Sequence, residues 1–70
     1  MARKKLLADI IDNPARFYRV PGDVLRDRRF DDGERREILQ AWEGADDARA
    51  AEVTVTLREL EYRVVNHAAE

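Results

Sequence analysis

Four acidic residues, Asp31, Asp32, Glu34 and Glu37, crowd one short stretch of the chain. General acid–base catalysis needs carboxylates held in a cleft with pKa values pushed apart. These four fall where a helix begins, and capping together with the helix dipole accounts for them. The one histidine, His67, precedes Glu70 by three residues. A single imidazole and a single carboxylate make too small a ligand set for a metal. There is no cysteine or serine, and the two threonines, Thr54 and Thr56, have no base at hand. Gly22, Gly33 and Gly44 are isolated, so no glycine-rich phosphate loop is present. A chain of 70 residues also has little room for the ~300 Å³ that a substrate pocket usually needs. Catalytic residues, metal, cofactor and small-molecule substrate are therefore not expected.

The remaining chemistry is cationic. Arg26, Arg28 and Arg29, with Arg35 and Arg36 nearby, could contact phosphates, and Phe17 or Tyr18 could stack on a base. Asp23, Asp27, Asp31 and Asp32 interleave with these arginines, and the pI near 5.4 is far from the basic signature of nucleic-acid-binding domains. The charge is nonetheless uneven. Residues 1–30 carry a net +4 and residues 31–70 a net −6, so opposite halves could attract within one chain or between two.

These residues must be positioned by helices. Leu6, Leu7, Ile10 and Ile11 lie on one helical face, and Asn13-Pro14 ends that helix, because the residue before a proline is driven out of the helical region. This predicts a short helix over 3–12, or else a frayed basic tail. Ala15–Pro21, with adjacent Phe17 and Tyr18, is expected to be extended, with at least one aromatic plugging the edge of the core. Gly22–Asp27 reads as a short helix with Pro21 near its first turn. Asp31 and Glu34 have capping-box spacing, and the helix they start carries Ile38, Leu39 and Trp42 in a narrow arc.

The C-terminal segment is the most informative. Ala50, Val53, Leu57, Leu60 and Val64 follow heptad-like spacing, and Glu59 to Arg63 has the i, i+4 spacing of a favourable ion pair. The opposite side of the same helix carries Ala51, Val55, Tyr62, Val65 and Ala69. Two apolar stripes on one helix imply two contacts, one inside the chain and one outside it. Val53–Leu57 alternates like a strand, but the alternation fails beyond Leu57 and no partner strand is visible. Residues 31–66 could form one long helix or a helical hairpin turning near 44–47. The absence of large apolar residues between Trp42 and Val53, and the ~1 kcal/mol that Gly44 costs relative to alanine, favour the hairpin.

Phe17 and Tyr18, then Pro21-Gly-Asp-Val-Leu-Arg-Asp27, Phe30, Glu34-Arg35 and Ile38-Leu39-Gln-Ala-Trp-Glu43 form a distinctive succession. In this respect residues 17–43 resemble a group of small, uncharacterised proteobacterial proteins. Such proteins continue from Trp-Glu directly into Asp-Ala-Arg, whereas here Gly44, Ala45 and Asp46 intervene before Asp47-Ala48-Arg49. The resemblance implies helix and brings no activity with it.

The expected architecture is all-α, a single small helical domain over 1–70. It comprises a short N-terminal helix, an extended aromatic segment, a short helix, then a hairpin or one long helix. A chain of this size buries only ~60% of its unfolded surface and lacks disulfides, so helix packing or self-association must supply stability. The basic start resembles a signal peptide, but Asp9 breaks its apolar stretch, and no run approaches the ~20 apolar residues of a membrane span. A cytoplasmic, non-catalytic protein–protein interaction or regulatory module is expected. It should form a homodimer, or bind another protein, through Val55, Tyr62 and Val65 on the last helix. The alternative is a small helical nucleic-acid-binding regulator using Arg26, Arg28 and Arg29.

Overall fold

A computed structural model describes residues 2–69, with side chains described for 5–63. Four α-helices and two single 3₁₀ turns account for the secondary structure of these residues, and no strand occurs among them. Helix α1, Ala2–Asp12, buries Ile10 completely and packs Leu6, Leu7 and Ile11 against the core edge. The chain leaves the helix at Asn13 (φ −153°, ψ 79°), as the following proline demands.

The expected extended aromatic stretch is instead a 3₁₀ turn over Pro14–Arg16 followed by bends at Arg19 and Val20. The proline ring presets φ for a helical first position. Its carbonyl then accepts the N–H groups of Phe17 at 2.9 Å and Tyr18 at 3.0 Å. This tight turn sends the two aromatics apart. Tyr18 is buried and stacks on Trp42, with ring centroids 6.3 Å apart, whereas Phe17 is exposed.

Helix α2, Gly22–Leu25, is one turn long and buries Val24. Helix α3, Asp32–Ala45, begins with a full capping box. The Asp31 carboxylate accepts the Glu34 N–H at 2.9 Å, and the Glu34 carboxylate accepts the Asp31 N–H at 2.9 Å. Both satisfy donors that a helix start leaves open. Asp31→Ala is expected to cost about 0.5–2 kcal/mol in two-state urea unfolding. A neutral result would mean that the cap contributes nothing.

Helix α3 ends at Asp46, which adopts extended angles (φ −134°, ψ 91°) while its N–H still bonds the Trp42 carbonyl at 3.0 Å. A 3₁₀ turn, Asp47–Arg49, then leads into α4, Ala50–Ala69. Residues 31–66 are therefore two helices, not one, and the break falls at Asp46, with Gly44 still helical. Contacts along α3 and α4 run in opposite order: Glu43 meets Thr54, Arg36 meets Glu61, and Asp32 meets Arg63. The strand-like Val53–Leu57 is helical throughout. Packing overrides its β propensity, and the Thr54 and Thr56 hydroxyls donate to the carbonyls of Ala50 and Glu52 one turn back.

Helix α3 is the centre of the packing, touching α1, α2 and α4. Ile38, Leu39 and Trp42 on α3 meet Ile10, Tyr18, Val24, Phe30, Val53 and Leu60 from its neighbours, and Leu57 packs at the rim. The helices fill a flattened body with extents of 34 × 32 × 16 Å. Arg63 does not pair with Glu59 as its spacing suggested. It reaches across to Asp32 at 3.2 Å, because the first turn of α3 brings a carboxylate beside it.

Candidate interaction surface

The buried seam of α4, Val53, Thr56 and Leu60, turns its back on Val55 and Tyr62. Val55 is 54% exposed and Tyr62 70% exposed. They are seven residues apart, two helical turns, and so lie nearly above one another. Ala51 lies on the same line, and Arg58 sits between Val55 and Tyr62 along the helix; all four are exposed. Val65, the third residue expected on this face, lies outside the described side chains, as do Val64 and His67.

Arginines 26, 28 and 29 cluster after α2 but offer little open charge. Arg26 pairs with Asp23 at 2.8 Å. Arg29 grips Asp27 with a fork, Nε to Oδ1 at 2.9 Å and Nη2 to Oδ2 at 2.7 Å, and lies over the Phe30 ring. Arg28 is exposed. Two of the three guanidiniums are thus neutralised locally, which weakens any field that would attract a phosphate backbone.

Sequence reasoning missed the polar node around Asp27. The Tyr18 hydroxyl donates to Asp27 Oδ2 at 2.7 Å, and the Arg35 guanidinium donates to the Asp27 carbonyl at 2.9 and 3.2 Å. Arg35 also pairs with Asp32 at 2.6 Å. The fork from Arg29, followed by the Tyr18 hydroxyl, holds the Asp27 carboxyl far below the usual carboxylate range. Burial, reinforced by that carboxylate, pushes the Tyr18 phenol well above its ordinary value. Tyr18 therefore stays protonated and donating at neutral pH. These partners lie two to nine residues apart across a turn, without helical or strand periodicity, so no spacing rule joins them. The node is a fastening, tying the Tyr18 turn to the start of α3.

The acidic cluster is spent in the same way: Asp31 and Glu34 form the cap, and Asp32 takes Arg35 and Arg63. No group of His, Cys, Asp and Glu able to hold a metal occurs among the described residues. A groove of about 450 Å³, larger than expected for so short a chain, lies where α1 meets the 3₁₀ turn. Its lining, Asp9, Asp12, Asn13, Arg16 and Phe17, comes from one stretch of chain and brings no nucleophile beside a base. Among the described residues no helix is long and apolar enough to cross a membrane. Comparison with known protein families, curated proteins and solved structures found no match for the chain.

Proposed function

We propose that the protein is a non-catalytic interaction module of the cytoplasm, built on the α3–α4 hairpin and self-associating through the outer face of α4. The observation that supports this reading is the pairing of two opposite faces on one helix. One face is closed by Val53 and Leu60, and the other leaves Val55 and Tyr62 open. An aromatic and a branched aliphatic stacked on a helix face are a common interface nucleus, and a two-fold dimer is the commonest way to cover one. Val65 belongs to the same face by register. The local neutralisation of Arg26 and Arg29 favours this reading over nucleic-acid binding.

Val55→Glu and Tyr62→Lys test it. Each places a charge where association would remove it from water, so each is expected to weaken the dimer by at least about tenfold (~1.4 kcal/mol). Neither side chain touches the core, so helicity and thermal midpoint at low concentration should be retained. Unchanged association in both variants would move the interface away from α4.

A further inference from the structure

We infer that the second copy lies antiparallel on α4, with the two-fold axis at the height of Leu60, so that Arg58 of each copy packs over Tyr62 of the other. This rests on the proposed self-association and adds its geometry. The apolar stripe of α4 is interrupted by one charge. At about 100° per residue, Arg58 is about 40° from Tyr62 and about 60° from Val55 around the helix. Any partner on this face must therefore accommodate a guanidinium.

Arg58 makes none of the ion pairs found among the described residues. The guanidinium lying over a ring in this set is that of Arg29, over Phe30. The Tyr62 ring, 70% exposed, is likewise unoccupied. A cation and an aromatic face on the same surface, both unengaged, are complementary to each other. Within one helix they sit one turn apart. Between two antiparallel helices they coincide, because residues 58 and 62 lie equally far on either side of residue 60. One two-fold operation makes the contact twice, as an isologous interface requires.

A parallel pair in register does the opposite. It sets Arg58 against Arg58 of the other copy, two like charges in one layer, and leaves each Tyr62 facing another Tyr62. The orientations also differ at Glu59, on the flank of the stripe. In the antiparallel pair the two Glu59 carboxylates share a flank beside the axis and repel. In the parallel pair Glu59 lies beside Arg58 of the other copy.

Because the chain has no cysteine, spin labels on Ala51→Cys and on Glu59→Cys report the orientation directly. At 1.5 Å rise per residue, antiparallel pairing puts the two copies of residue 59 about 3 Å apart along the axis and the two copies of residue 51 about 27 Å apart. A short inter-label distance at 59 with a long one at 51 is the expected result. Short distances at both positions would establish a parallel pair and overturn the orientation while leaving self-association through α4 intact. No intermolecular distance at either label, in a sample that sediments as a dimer, would overturn this interface. A sample that stays monomeric removes the self-association beneath it. Glu59→Gln adds a signed test: the antiparallel dimer should tighten about two- to five-fold, as relief of an exposed like-charge contact allows. Weakening would contradict it.

Discussion

Trp42→Ala is expected to unfold most of the chain. Trp42 is 1% exposed and stands near the C-terminal end of α3, the helix that every other helix contacts. Its ring stacks on Tyr18, which links the N-terminal turn to the core. Removing a buried aromatic costs about 3–5 kcal/mol. At about 0.05–0.15 kcal/mol per residue, a chain of this length holds roughly 4–10 kcal/mol in all. The loss is therefore a large share of the total stability, and in the lower half of that range it is most of it. Circular dichroism should show a collapsed thermal midpoint and reduced helicity at room temperature. A variant melting like the unaltered protein would place the centre of the core elsewhere.

Asp27→Asn is the second large effect, and it carries a pH signature. The carboxylate takes the Arg29 fork and the Tyr18 hydroxyl with its side chain only 9% exposed. Hydrogen bonds to a charged group contribute about 1.5–3 kcal/mol, so the amide should lose roughly that at neutral pH. The folded pKa lies below the unfolded one. The carboxylate's contribution is therefore complete above the unfolded value near ~4 and fades as pH falls through it towards the lower folded value. The gap in stability between the two proteins should accordingly narrow below about pH 4. A gap of the same size at pH 7 and pH 2 would show that Asp27 acts through shape rather than charge.

The legible parts of this fold are those with periodic or local rules behind them. Ile10, Ile38, Leu39, Trp42, Val53 and Leu60 were recoverable because helix burial repeats about every 3.6 residues. The Asp31–Glu34 box was recoverable because its partners are three residues apart. The 3₁₀ turn over Pro14–Arg16 is harder to see, because the restriction on Asn13 marks only the end of α1, while the turn itself follows from the φ that Pro14 presets for its own position. The Asp27 node was invisible, since it joins a turn to a helix start through contacts that no periodicity announces. Arg63 pairs with Asp32 and not with Glu59, because an i, i+4 rule sees only its own helix and not the carboxylate that the first turn of α3 brings alongside. For the interaction face, the outward positions of Val55 and Tyr62 follow directly from the inward ones of Val53 and Leu60. What covers them in the proposed dimer does not, because a partner leaves no periodic mark on the chain that binds it.

Sedimentation equilibrium of the unaltered chain, over concentrations from micromolar to millimolar, tests that coverage most directly. Self-association through α4 predicts a mass that climbs with concentration from the 8.1 kDa of one chain towards twice that value, and a Tyr62→Lys sample that stays at one chain over the range where the unaltered protein pairs. A constant mass of one chain across the whole range would contradict the account.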